Sequence, residues 1–342
     1  MQPMQAPDSA NANANATTNA TTNATTTAWA DVPEPWMHHM RRGEWEHAWA
    51  FSDSLLPDRA ARACTHLPRH LQYVWTGAPL RGKRVLVRCY HGIGDTVQFI
   101  RYAPLLKAIA AEVIVWAQPS LLSLLASVDG IDRLLPLHDG TPDVDYDVDV
   151  ELMELPHVFR TTLASVPATI PYLHVDPMPL PWDDDRPVIG LVWRAGDWNE
   201  ARSIPYASLA PFARLDDVRI VILQPDATGA GWNGEFGWHP GELDLHGFAR
   251  AVRALDLLVT IDSMPAHIGG ALGVPTWTLL HADTDWRWMD DRPDSPWYPG
   301  MRLFRQRSAG DWSDVIADVL ASLPDFFAAR RHARGLSAGP GA

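Results

Sequence analysis

The sequence predicts an α/β protein made of two parallel-sheet domains behind a short helical hairpin, and three observations carry that expectation. From Arg84 onward, short β-branched runs alternate with helical stretches. The alternation is interrupted once, at 166–187, by a proline-rich segment ending in an acidic cluster, and then restarts. The length of 342 residues exceeds one ordinary domain and suits two of middling size, with 46% hydrophobic residues to fill their cores.

The first 30 residues are an Asn, Ala and Thr tract with too little apolar surface to offset the entropy of ordering, so a disordered tail is expected. Triplets beginning at Asn15, Asn19 and Asn23 match the N-glycosylation pattern, but other features point to a compartment without that machinery. The start lacks the charged and apolar regions of a signal peptide, and no uncharged apolar run approaches the roughly 18–20 residues of a membrane span. Cysteine is limited to Cys64 and Cys89, neither a disulfide framework nor a metal cluster, as suits a reducing compartment. A soluble, cytoplasmic protein without a transmembrane segment is expected. With 28 basic against 41 acidic residues the formal net charge is -13, which opposes a nucleic-acid partner or an anionic membrane surface.

Residues 31–80 read as a helical hairpin of tetratricopeptide-like kind, with Trp45, Ala48, Trp49 and Leu55 or Leu56 near one face and Gly43 at the turn. One such unit cannot bury its own face, so it is expected to cap the domain that follows, a partner-binding arm being the alternative. Residues 81–165 then read as a Rossmann-like domain. Its strand RVLVRCY (84–90), a helix from Thr96 to about Ala111 and the strand EVIVWA (112–117) make a βαβ unit. The alternating acids of DVDYDVDV (143–150) suit a solvated face or edge rather than a metal site.

After the linker at 166–187, residues 188–325 repeat the pattern. Strands are expected at VIGLVW (188–193), VRIVILQ (218–224), LLVTI (257–261) and TWTLL (276–280), with helices near 248–255 and from Pro265. A terminal amphipathic helix is expected from Asp311 to Leu323, with FFAARRHARG suited to a further short helix, before the Gly-rich end of a C-terminal tail at 326–342. Ligands of open α/β sheets bind outside the carboxyl ends of the strands, so the chemistry is sought there.

Two turns at such ends stand out. His91-Gly92-Ile93-Gly94-Asp95 follows the first strand and opens a helix, its glycines permitting close approach of backbone to ligand. A nicotinamide site is disfavoured, because Val97 stands where a third glycine or alanine is needed and the uncharged Gln118 where the ribose-binding acid belongs. Asp95 sits where an N-cap belongs, and capping alone accounts for an acid there. In the second turn a strand ends at Asp262 and a helix opens at Ser263, Met264 and Pro265, whose free N–H groups and dipole form a phosphate seat. Pro265 costs the first turn nothing, Gly269 and Gly270 permit close packing, and His267 lies one turn in.

Four segments in order, HGIGDTVQFIRYAPLL (91–106), SIPYASLAPF (203–212), TIDSMPAHIGGALGVPTW (260–277) and DWRWMDDRPDSPWYPGMRLFRQ (285–306), resemble the family 9 glycosyltransferases. That is the bacterial heptosyltransferase group, and the likeness is to its members with tetratricopeptide repeats ahead of the transferase domain. The resemblance implies a GT-B fold and an inverting, metal-independent transferase of glycan or lipopolysaccharide biosynthesis. It implies a nucleotide-sugar donor, adenosine-based and heptose-like, and a glycan, lipid-linked glycan or protein acceptor, with no cofactor. Asp95 then occupies the place of the base that deprotonates the acceptor hydroxyl. Arg194, Ser263, Met264 and His267 occupy the places that hold the donor diphosphate. Gly92, Gly94, Gln98, Arg101, Gln224 and Asp262 are the candidates for positioning donor or acceptor.

The sequence departs from the family pattern at Gln224-Pro225-Asp226, where a lysine or glycine often follows the glutamine, and at Arg194-Ala195-Gly196-Asp197 after the first strand of the second domain. Trp286 and Trp288 suit either stacking on a base or sugar or fastening their loop, and the Trp- and Gly-rich stretch 229–244 suits an acceptor loop or ordinary packing. Two other classes remain open. One is a GT-B module that binds sugar nucleotides without turnover; the other is a nucleotide-sugar epimerase.

Overall fold

The structure is a computed structural model that describes residues 34–196 and 199–333. The Asn-rich tail with its glycosylation triplets, Asp197 of the departing loop and the last nine residues of the chain lie outside the described residues.

Helices α1 (Glu34–Arg42) and α2 (Trp45–Ala61) form the hairpin. The first sheet is built by β1 (Arg84–Arg88), β2 (Glu112–Ala117), β3 (Arg133–Pro136) and β4 (Val148–Glu151). Its helices are α3 (Ile93–Phe99), α4 (Ala103–Lys107), α5 (Leu122–Leu125) and α6 (Leu155–Val158). The second sheet is built by β5 (Val188–Val192), β6 (Arg219–Ile222), β7 (Leu257–Ile261), β8 (Thr276–Leu280) and β9 (Met301–Arg305), with helices α7 (Leu245–Arg253), α8 (Met264–Ala271) and α9 (Ser313–Ala333). The strand orders are β3-β2-β1-β4 and β6-β5-β7-β8-β9, and every pair is parallel. The strands are apolar runs because helices cover both sheet faces: Val113 to Ala117 are almost wholly buried, as are all of β7 and β8.

The acidic stretch ends in β4, an edge strand, where Asp147 and Asp149 pair with Arg84 and Arg88 of β1 at 3.0 and 2.7 Å. Strand β9 was not foreseen, because MRLFR carries two arginines in five positions and has no clean alternation. The helix expected from Thr96 to Ala111 is α3, a 3-10 turn and α4, with Pro104 at the start of α4. The terminal helix runs past the expected stop at Leu323 and across the 325/326 boundary, with Pro324 inside it. Phe327 is buried in the second core and Phe326 meets Trp277 edge-on at 5.3 Å. Full burial of a ring such as Phe327 contributes about 1.5–3 kcal/mol, and with the partly buried Phe326 this offsets a proline cost of about 3 kcal/mol.

The hairpin does not cap one domain alone. On one side the Trp49 indole donates to the Thr161 carbonyl at 2.6 Å, Asp53 pairs with Arg160 and His157, and Arg59 pairs with Glu154. On the other, Trp45 stacks on Trp297 at 5.2 Å, Trp36 meets Trp286 at 5.5 Å, and Arg41 pairs with Asp283. The hairpin therefore spans the segment after β4 and the loop between β8 and β9. The segment between the sheets is held as firmly: the amides of Tyr172 and Leu173 both donate to the Ala271 carbonyl at the end of α8, and the Tyr172 hydroxyl donates to the Val97 carbonyl at 2.9 Å.

Gly269 and Gly270 bring α8 onto its neighbours: a Cβ on Gly270 would enter the Tyr298 ring, and one on Gly269 would strike the Thr276 hydroxyl. Tyr298 is fully buried and bonded to His267, so it has no room to yield. Gly270→Ala is expected to destabilise the protein by about 1–3 kcal/mol, read as a lower midpoint in urea unfolding with an unchanged slope.

Candidate functional site

The site forms where the two sheets face each other across α3 and α8. Strand β1 ends at Arg88, and the chain turns through His91 and Gly92 into α3; β7 ends at Ile261, and the chain turns through Asp262 and Ser263 into α8. Gly94 is the point of contact. A Cβ there would lie 2.9 Å from His267 Cδ2 and 3.4 Å from Met264 Cα, so only a residue without a side chain lets the first turns of the two helices meet.

Helix α3 begins at Ile93, three residues earlier than expected, so Gly92 is the N-cap and Asp95 the third helical residue. Asp95 Oδ2 accepts the Gly92 amide at 2.9 Å, reaching back over the open end of the helix. Its Oδ1 is ion-paired with Arg287, which also holds Asp285 at 2.8 Å. The capping role and a place in a charge cluster are therefore both present in one carboxylate, which remains 23% exposed.

Around Asp95 the interior carries an unusual density of charge. Arg287 and Arg202 are both buried, and Arg202 donates to the Asp262 carbonyl at 2.7 Å. The Asp262 carboxyl is pushed up to about 6 by burial and then by Asp285, against the pull of Arg202 and Arg287. Asp95, Asp262 and Asp285 thus share two guanidinium groups. His91 is held above its ordinary value: burial opposes the charged ring, but Glu151, 3.1 Å away, and then Asp95 more than offset it.

The opening of α8, where the sequence places its candidate phosphate seat, is a helix N-terminus with open amides. Ser263 is its N-cap in extended backbone, and its buried hydroxyl has no hydrogen-bond partner among the described residues. Met264 opens the helix, whose first amides lack intrahelical acceptors. His267 is buried, stacked on Trp288 at 5.4 Å, with Nδ1 2.9 Å from the Tyr298 hydroxyl. Burial first, and then Arg287, Arg101 and Arg202, drive it well below the usual histidine range, so the ring is neutral and cannot meet an anion as a cation. With its proton on Nε2 the ring accepts from Tyr298 and turns an N–H toward Gly94.

Several expected residues are engaged with other parts of the protein. Arg101 is buried between the halves, donating to the Gln98 and Trp297 carbonyls and to the Tyr172 hydroxyl 2.9 Å away, with the Tyr298 ring 4.5 Å from its guanidinium; it joins the halves instead of facing a ligand. Gln98 is fully buried, and neither end of its amide has a protein partner among the described residues. Gln224 accepts the amides of Trp193 and Arg194 at 3.0 and 2.8 Å and donates to the Pro225 carbonyl, so it shapes the loop after β5. Arg194 is exposed and reaches the Gly229 carbonyl at 3.1 Å.

Trp286 and Trp288 are buried and fasten their loop, Trp286 against Trp36, Phe99 and Trp297. In the stretch 229–244, Trp232 donates to the Phe236 carbonyl and Phe236 stacks on Tyr206, which is packing. Sequence reasoning missed Arg202, a basic residue directly ahead of SIPYASLAPF with no pattern of its own.

No family model matches the chain. Over 301 residues it is 26% identical to Protein FlbA of Caulobacter vibrioides, covering 74% of this chain and 48% of that protein. The chain therefore spans about half the length of this curated relative. The solved family 9 glycosyl transferase of Veillonella parvula shares its fold at a TM-score of 0.55 and 13% identity, covering 73% of this chain and 98% of the other. The E. coli ADP-heptose lps heptosyltransferase II does so at 0.51 and 17%, covering 72% and 99%. The two-sheet α/β fold is that of the family 9 glycosyltransferases.

Histidine 267 also gives the structure a pH dependence. Its folded value lies below its unfolded value of about 6.5, so folding disfavours the protonated ring. The stability it contributes is complete above that value and is lost as pH falls below it. In urea unfolding, His267→Gln is expected to flatten the decline in stability below pH 6.5 relative to the parent; an unchanged decline would mean that His157 and His281, lowered in the same direction, carry it.

Proposed function

We propose that the chain is an inverting glycosyltransferase of the family 9 type, moving a heptose-like sugar from an ADP-linked donor to a glycan, lipid-linked glycan or protein acceptor. The observation that carries this reading is the meeting of Asp95, on the helix after β1 of the first sheet, with the opening turn of α8, after β7 of the second, through Gly94. The fold shared with a heptosyltransferase supports it, and the ADP-heptose in that protein's name motivates the donor. In this reading residues 81–165 bind the acceptor, residues 188–325 bind the nucleotide sugar, and 166–187 link them.

The chemistry follows from the placement. An acceptor hydroxyl attacking the anomeric carbon must lose its proton as the new C–O bond forms, and the exposed part of the Asp95 carboxylate takes it. Each carboxylate oxygen keeps a lone pair beyond its bond to Gly92 or Arg287, so both contacts orient the base without saturating it. Attack from the side opposite the departing diphosphate inverts the anomeric centre. Negative charge grows on that diphosphate, and fixed donors aimed at it lower the barrier. The Ser263 hydroxyl, the first amides of α8, Arg202 and Arg194 are assigned to it, taking the role a metal ion has in other transferases. Asp262 orients Arg202 through its carbonyl.

The reading is tested by release of nucleoside diphosphate from a panel of sugar donors, with and without acceptor extracts. Asp95→Asn is expected to lower turnover by about 10²–10⁴-fold while donor affinity, measured by calorimetry, is kept. Arg202→Ala is expected to weaken donor binding by about tenfold or more, the loss of a hydrogen bond to a charged group. Donor binding without release would make the chain a sugar-nucleotide-binding module, and a changed sugar without acceptor would make it an epimerase. Full turnover in Asp95→Asn would reduce that residue to its capping role.

A further inference from the structure

We propose that His39, Glu44 and His47 form a binding site for a divalent transition-metal ion of the zinc class at the turn of the N-terminal hairpin, apart from the proposed transfer site. One ligand atom from each of the three lies within 4.8 Å of the others. They come from the last turn of α1, the inter-helix turn and the first turn of α2.

The backbone sets this convergence. Glu44 and His47 stand three residues apart at the opening of α2 and so project on one side. His39 is brought to them by a tight turn, in which the Glu44 amide donates to the His39 carbonyl at 2.9 Å and Gly43 adopts a φ of 75° that favours glycine. His39 Nδ1 and Glu44 Oε2 are already 2.8 Å apart. An ion bound at 2.0–2.2 Å holds its ligand atoms roughly 3.5 Å apart, and the three atoms already lie within 4.8 Å of one another, so side-chain rotation closes the set.

The surroundings suit a ligand set better than a simple ion pair. Arg42 Nε donates to Glu44 Oε1 at 2.9 Å, which leaves Oε2 presented to the histidines, the kind of outer contact that orients a metal-binding carboxylate. A His39–Glu44 pair leaves His47 unexplained: its ring centroid lies 5.1 Å from that of His39, tilted by 38°, so the two rings stand on one space beside the Glu44 carboxylate. A cation in that space takes a lone pair from each neutral ring and the charge of the carboxylate. Two imidazoles and one carboxylate favour zinc, nickel or copper over magnesium or calcium, and partial exposure admits the ion and a water as fourth ligand.

The consequence reaches the loop of Arg287. Binding ties α1 to α2; Trp36 of α1 meets Trp286 of that loop edge-on, and Trp45 of α2 stacks on its Trp297.

The test uses the full chain, stripped with a chelator and titrated with zinc chloride in a calorimeter, followed by thermal unfolding with and without zinc. One equivalent is expected to bind and to raise Tm by several degrees at saturation, with no comparable response to magnesium chloride. His47→Ala, at an exposed position, is expected to keep the zinc-free Tm and to weaken zinc binding at least tenfold; His39→Gln with His47→Ala is expected to abolish the one-equivalent binding and the Tm rise. The chain has 14 histidines, so stoichiometric binding that persists undiminished in the double variant would place the ion elsewhere and overturn the proposal. Absence of stoichiometric binding to the parent would overturn it equally.

Discussion

The architecture depends on one close approach, the first turn of α3 lying against the first turn of α8 at Gly94. Two helix openings that meet this way bring their unpaired amides and the positive ends of their dipoles together in an interior already holding Arg202 and Arg287. Such a region is stable only if anions enter it. Asp95, Asp262 and Asp285 supply part of that charge from the chain itself, and the proposed diphosphate supplies the rest when donor binds. The raised Asp262 carboxyl and the neutral His267 are two sides of the same constraint: burial works against every charge not matched by a partner.

That approach is reinforced from outside by aromatic packing. The loop carrying Asp285 and Arg287 is gripped by Trp36 and Trp45 of the hairpin, while Arg101 pins the Trp297 carbonyl and the Tyr172 hydroxyl from within. Several of the 16 tryptophans therefore serve the joint between the halves. The hairpin, far from an appendage, is part of what orients Arg287 toward Asp95.

Much of this was legible in sequence because it depends on local pattern. Strands β2, β7 and β8 were legible to the residue, since buried parallel strands are uninterrupted apolar runs between helical stretches. The opening of α8 was legible from a strand end followed by Asp-Ser-Met-Pro. The start of α3 was misplaced because Asp95 resembles an N-cap, while the actual cap, Gly92, has no side chain to announce it. Arg101, a candidate for positioning donor or acceptor, is instead buried between the halves, because what covers it comes from Tyr172, Trp297 and Tyr298, far along the chain.

The sequence by itself determined the alternation of strands and helices, the break between two sheets, and the two turns that carry Asp95 and the α8 seat, because each rests on contacts within a few residues. Only the tertiary structure decided which charges share a site. Arg202, Arg287 and Asp285 reach Asp95 and Asp262 across tens to nearly two hundred positions of chain, and no periodicity encodes that distance. The neutral state of His267 belongs to the same class, for it depends on what closes over the ring rather than on its neighbours in sequence.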